Sequence, residues 1–167
     1  MKAPVILTFI LSVYGLCSQA QKAKSLTARN TVYLEILGSG ALYSINYERL
    51  LLQKEKQAYG LRVGTSYFGE RPATIALIGE LLMLTGKGDH HGDFGLGLTG
   101  ASGRNNELGL SSFERKTSLF AVPRLGYRYQ KLTGGIMLRA GFTPLIRLIG
   151  NSRIFSPSLG LSIGHSF

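Results

Sequence analysis

Hydrophobic and polar residues alternate along most of this chain with the two-residue period of a β-strand. Eight segments carry the alternation: Thr31 to Gly38, Ala41 to Leu52, Ala58 to Tyr67, Thr74 to Thr85, Asp93 to Thr99, Ser118 to Tyr129, Gly135 to Pro144 and Ser158 to Phe167. Breakers stand between them at Ser39-Gly40, Gln53 to Gln57, Gly69 to Ala73, Gly86 to Gly92, Gly100 to Thr117, Gln130 to Gly134 and Leu145 to Pro157. The last strand is the clearest, with Leu159, Leu161, Ile163, His165 and Phe167 in one phase and Gly160, Ser162, Gly164 and Ser166 in the other.

The two phases differ in kind. One is apolar nearly throughout, from Val32, Leu34 and Ile36 through Leu61 and Val63 to Leu138 and Phe142. The other mixes charges with Gly64, Gly95, Gly97, Gly126, Gly141, Gly160 and Gly164. Glycine weakens a strand, so the water-facing side of a soluble sheet has little use for so many. The lumen of an eight-stranded barrel is only wide enough for side chains to fill, and there small residues beside a few large ones make sense. The apolar phase therefore reads as a lipid face and the mixed phase as a lumen. Tyr47, Tyr127, Tyr129 and Phe167 are expected near one rim and Tyr43, Tyr67 and Phe142 near the other, as aromatic girdles. A soluble lipocalin-like carrier also alternates, but the glycine-rich phase disfavours it.

Composition sharpens this picture. No apolar run reaches the length of a membrane-spanning helix, because the longest, Ala73 to Leu84, contains Glu80. A spanning structure must then be a closed sheet. The chain opens with a basic Met1-Lys2, an apolar run from Ala3 to Leu16 and small residues at Ser18 and Ala20, the pattern of a secretory signal peptide. Residues 1–20 are expected to leave, 21–30 to form a periplasmic segment and 31–167 the barrel. Cys17, the lone cysteine, would go with the signal; the bulky Leu16 before it argues against lipidation. Neither a disulfide framework nor a cysteine metal site is then available.

The net charge of +10 does not signal nucleic acid, because the cations scatter among turns and loops rather than forming a basic helix or an aromatic-interleaved patch. Anionic lipid headgroups and lipopolysaccharide phosphates are the expected counter-charges.

A strand alternating like Leu159 to Phe167 and ending on an aromatic resembles the C-terminal insertion signal of Gram-negative outer-membrane β-barrel proteins. Leu159, Leu161, Ile163 and Phe167 would be the positions read by the barrel-assembly machinery. With the signal peptide, eight alternating segments, short inner turns and two long outer loops, the chain resembles the small eight-stranded outer-membrane proteins of the OmpA- and OmpX-like class. The very short first outer loop, Ser39-Gly40, departs from that pattern. The resemblance implies an all-β fold, a transmembrane antiparallel up-and-down barrel of eight strands in the cell outer membrane. It does not choose a function, since that class holds structural, adhesive and enzymatic members.

Three local patterns invite chemistry and are better read without it. Gly95-Leu-Gly97-Leu-Thr-Gly100 matches a dinucleotide-binding fingerprint, but no helix follows. Asp89-His90-His91-Gly92-Asp93 carries metal-capable side chains in what reads as a solvated turn. His165 and Ser166 are strand neighbours, so they point to opposite faces. No catalytic, cofactor or metal site is assigned.

The expected role is structural or surface-interacting, through Gly100 to Thr117 and Leu145 to Pro157, with the extracellular ligand left open. A lipid-modifying enzyme (an acyl hydrolase or transferase) and a narrow pore are the alternatives. The lumen phase also holds Glu35, Glu48 and Glu80 with Arg62, Arg124, Arg128 and Arg139, charges that a narrow interior must pair or hydrate. A hairpin turning about Glu55 sets Glu48 opposite Arg62, and one turning about Arg71 sets Arg62 opposite Glu80, so Arg62 is expected to bridge two glutamates. Arg124 and Arg139 are expected to be close on adjacent strands and to need Glu35 or water. The whole set is expected to plug the lumen. The mature protein is expected to begin at Gln21; N-terminal sequencing checks this, and a lipidated Cys17 is the contrary result.

Overall fold

The computed structural model describes residues 26–68, 74–104, 115–149 and 155–167. Ten strands follow in order: β1 (Asn30–Ile36), β2 (Tyr43–Gln53), β3 (Gln57–Phe68), β4 (Thr74–Lys87), β5 (His90–Arg104), β6 (Arg115–Gln130), β7 (Gly135–Phe142), β8 (Leu145–Ile149), β9 (Phe155–Ser156) and β10 (Leu159–Ser166). All pairings are antiparallel, and β1 pairs with β10, so the sheet closes on itself. The ten strands make eight staves. Leu125↔Phe142 and Ala121↔Ile146 share one register, so β7 and β8 are one stave interrupted at Thr143-Pro144. Leu159↔Phe142 and Leu145↔Ser156 likewise join β9 and β10.

The usual order of burial is inverted. Leu77 is 66% exposed, Leu96 62% and Leu161 57%, while the Glu48 and Arg128 residues have no accessible surface. Alternation carries this through every stave, because successive side chains leave the pleat on opposite sides.

The described strands β5 and β6 run well beyond the segments Asp93 to Thr99 and Ser118 to Tyr129. They pair continuously from His90↔Tyr129 to Arg104↔Arg115. Gly100, Ala101, Ser102 and Gly103 look like loop residues, yet the ladder is made by backbone groups and a regular partner strand recruits them. The turn between β4 and β5 shrinks to Gly88-Asp89, with Gly88 at φ +73, a left-handed value that glycine adopts freely. His90 and His91 are therefore strand residues. Part of the predicted loop Leu145 to Pro157 is wall as well, as β8 and β9. The remaining loop residues, 69–73, 105–114 and 150–154, lie outside the described set, as do residues 1–25 with the signal-peptide run.

Ser39-Gly40 is not an outer loop. Residues Gly38–Gly40 form a 3-10 turn that folds into the barrel, and all three are buried. Leu37 and Ala41 flank it at φ 59 and 68, a left-handed conformation that side chains resist. Ser39 compensates by bonding inside the lumen: its carbonyl accepts from Thr99 Oγ1 at 3.1 Å.

The opposite end, which carries the short turns, is closed by the segment before β1. Thr27 and Ala28 donate their N–H groups to Leu132 O (2.9 and 3.2 Å), and Gln53 Nε2 donates to Leu26 O (2.6 Å). Leu26 packs on Leu50, Ala58, Leu82 and Leu84, an apolar floor inside the lumen. Leu26→Ala is expected to cost about 2 kcal/mol of stability, the low end for a leucine truncation at a rim. Urea unfolding of the detergent-folded barrel measures it; an unshifted midpoint would mean that the segment is not part of the folded unit.

Candidate functional site

The lumen is the site, and its residues come from alternate positions of nearly every stave. The described residues place four arginines (Arg62, Arg124, Arg128, Arg139) and four acids (Glu35, Glu48, Glu80, Asp93) there, all buried. Glycine makes room for them. A Cβ on Gly95 would overlap Glu80 Oε1, and one on Gly64 would overlap Asn46 Oδ1.

Arg62 centres the half nearer the 3-10 turn. In register it sits opposite Glu48 on β2 and Glu80 on β4. Its guanidinium donates to Glu80 Oε2 (2.7 Å), to Glu35 Oε2, and to Asn46 Oδ1 from Nε (2.9 Å) and Nη2 (2.7 Å). The second glutamate is thus Glu35, not Glu48. Glu80, directly opposite on β4, keeps its bond to Arg62, while Glu48 is taken by Arg128 and the free side of the Arg62 fork reaches Glu35 two staves away. Arg124 Nη2 joins the same acids, at 3.0 Å from Glu80 Oε2 and 3.5 Å from Glu35 Oε1, and donates to Ser39 Oγ at 3.1 Å.

Glu48 belongs to the other half. Its Oε1 accepts from Arg128 Nη1 at 2.5 Å, and its Oε2 lies 3.6 Å from Arg139 Nη1. Arg128 also donates to Thr31 Oγ1 (3.0 Å), which bonds Ser166 Oγ (3.0 Å). Arg139 and Arg124 meet on the expected Glu35, at 3.7 and 3.5 Å from its carboxylate oxygens, and Arg139 is opposite Arg128 in register. Two like charges so placed repel, and Glu48 between them, with Asp93 3.5 Å from Arg139, offsets the repulsion. Arg139 Nη2 reaches Glu35 at 3.7 Å and Ser162 Oγ at 3.2 Å. Tyr33 stacks between the halves, with its ring 4.4 Å from the Arg139 guanidinium and 5.5 Å from that of Arg62.

Asp93, Tyr33, Ser39 and Asn46 were not among the residues expected from sequence. Asp93 shares the phase of Gly95 and Gly97, so the signal was present; its neighbours in a histidine-rich turn motif hid it. His165 stacks on Phe167 outside while Ser166 is buried inside, so the pair does not meet. Gly95 to Gly100 lie within β5. Among the described residues no group of three or more His, Cys, Asp or Glu side chains is placed to hold a metal ion. Among the described residues the arrangement sets four arginines against four acids.

No known family matches this chain, and no curated protein does. Among solved structures, the N-terminal β-barrel domain of Pseudomonas aeruginosa OprF is similar, with a TM-score of 0.59 at 13% sequence identity, over 83% of this chain and 96% of that one. That likeness is one of fold, a closed eight-stranded antiparallel barrel.

Arg62→Ala is expected to cost about 3 to 5 kcal/mol, because it strands buried carboxylates rather than merely removing a contact. Chemical denaturation measures the loss. A double-mutant cycle on Arg128 and Glu48 is expected to show coupling of about 1 to 3 kcal/mol, and additive losses would mean that the pair is hydrated and independent.

Proposed function

We propose that this chain is an integral outer-membrane barrel whose role is structural or surface-interacting, carried by the segments joining β5 to β6 and β8 to β9, with a lumen plugged by its charge cluster. The inverted burial supports this reading best. A belt of Leu, Ile, Val and Phe exposed on every stave is far larger than the apolar patches that soluble monomers show, and lipid is the solvent that suits it. The similarity to the OprF barrel domain is consistent with such a wall. Tyr47 and Tyr127 at the turn end and Tyr43 and Phe142 toward the loop end have the positions of interfacial girdles.

Two features support a structural role for the charges. The acids of the lumen have arginine partners, and a fold of eight staves has no space for a channel once those side chains are present. Leu159, Leu161, Ile163 and Phe167 form a continuous apolar face on β10, the face that the assembly machinery and then the lipid would meet. Lipid and lipopolysaccharide are the surrounding partners, and no nucleic acid is involved.

Ile163→Asp is expected to leave the protein outside the membrane fraction, since a charge on the lipid face costs about 2 to 4 kcal/mol near the bilayer midplane and less toward the rims. The assay is fractionation together with gel mobility of unheated and boiled samples. Normal insertion of this variant would defeat the membrane reading, and phospholipid or lipid A hydrolysis by the purified barrel would replace the structural role with the enzymatic one.

A further inference from the structure

On the outer side of the Leu26 floor, the mouth at the turn end is a cavity of about 350 Å³. Three connections build it: Lys54, Glu55 and Lys56 come from the turn between β2 and β3, Lys87 and Gly88 from the end of β4 and its turn, and Leu132 from the turn between β6 and β7. Its base is apolar, with Leu26, Ala58 and Leu84 of the floor and the half-buried Leu132 beside them. Its rim is cationic. Lys54, Lys56 and Lys87 stand against one acid, Glu55, and all four are exposed. Among the described residues no ion pair joins Glu55 to Lys54 or Lys56, so the rim keeps an excess of positive charge.

One polar group in the wall is left over. His91 is 5% exposed and faces inward, and among the described residues its Nε2 has no partner. Gly86, opposite it on β4, has no side chain to cover the imidazole, and Arg128, opposite it on β6, is turned to Glu48 and Thr31. Both Gly86 and His91 line the cavity. A buried ring nitrogen with nothing to bond costs free energy that a ligand oxygen recovers. The segment leading into Leu26 does not supply an anion for this mouth, because residues 21–25 carry Lys22 and Lys24 and no acid.

We propose that this mouth binds a small organic anion, a carboxylate or phosphate monoester on a short apolar body, from the aqueous side of the turns. The anionic oxygens lie between the rim lysines and His91 Nε2, and the body rests against Leu132 and Leu26. An oxygen acceptor meets Nε2 only as a donor, so binding selects the imidazole protonated at that nitrogen. Lysines are point charges on flexible stems and do not choose between carboxylate and phosphate. The apolar base adds the second requirement, and a volume at the small end for ligand pockets adds the third. The site does not depend on the membrane reading, since it lies inside the mouth of the closed sheet.

The test uses the full chain folded in zwitterionic detergent micelles, with methyl-labelled leucine and ring-15N histidine, followed by NMR. Hexanoate and butyl phosphate are each expected to shift the Leu26 and Leu132 methyls and the His91 Nε2 resonance along one saturating curve that weakens with added salt. Hexan-1-ol and hexylamine are expected to leave Nε2 unmoved. Replacing the three rim lysines together (Lys54→Gln, Lys56→Gln, Lys87→Gln) is expected to weaken hexanoate about tenfold, and Glu55→Gln to tighten it about threefold. These side chains are exposed, so the unheated variants are expected to keep the gel mobility of the folded barrel. Equal shifts by hexan-1-ol and hexanoate would leave an apolar crevice without an anion site. Inorganic phosphate acting as strongly as hexanoate would leave a charged rim with no use for the apolar body. Either result, or an affinity unchanged in the lysine and glutamate variants, would overturn the proposal.

Discussion

Eight charged side chains are buried inside a closed sheet of eight staves, and the need to pair them organises the interior. An unpaired arginine in such a lumen would cost several kcal/mol, so each must be met by an acid held in reach. Four acids meet four arginines, and three acids are shared: Glu35 lies within 4 Å of Arg62, Arg124 and Arg139, Glu80 serves Arg62 and Arg124, and Glu48 serves Arg128 and Arg139. Arginine suits this work because its planar fork presents several donors at once. Arg62 uses three nitrogens on four different residues.

The rest of the interior follows from making space for those side chains and completing their bonds. Gly95 and Gly64 weaken their strands, and the loss is offset because Glu80 and Asn46 occupy the volume that a Cβ would take. The inward turn at Gly38–Gly40 carries left-handed residues on both flanks, and its Ser39 hydroxyl accepts from Arg62 at 3.3 Å and from Arg124 at 3.1 Å. Strain in the backbone is held by polar bonds that only the folded lumen supplies. The charge cluster lies between the inward turn at one end and the Leu26 floor at the other.

The outside of the barrel obeys a different economy. There the backbone must satisfy itself, stave against stave, and the side chains need only be apolar. Pro123 and Pro144, set opposite each other by the register that Leu125↔Phe142 and Ala121↔Ile146 share, are the place where this rule lapses between two full staves. Pro157 is less disruptive, because it lies past the end of β1, which stops at Ile36 and leaves no strand there to pair. Fold alone does not choose a function for such a wall.

Alternation was enough by itself to determine the number of staves, the inside and outside of each, and seven of the eight charges that share the interior, Asp93 being the exception. A period of two is a local property, and it survives errors of several residues in where a strand stops. Hairpin symmetry about Glu55 and Arg71 also set Glu48, Arg62 and Glu80 side by side. Tertiary structure decided what those side chains then do. Arg62 turns from its neighbour Glu48 to Glu35 because partners across a lumen depend on curvature, which no single strand encodes. Gly100 to Gly103 join β5 because β6 is there to pair with them, Ser39-Gly40 turns inward because the lumen holds donors for it, and Pro123 meets Pro144 only through a register shared by staves far apart in sequence.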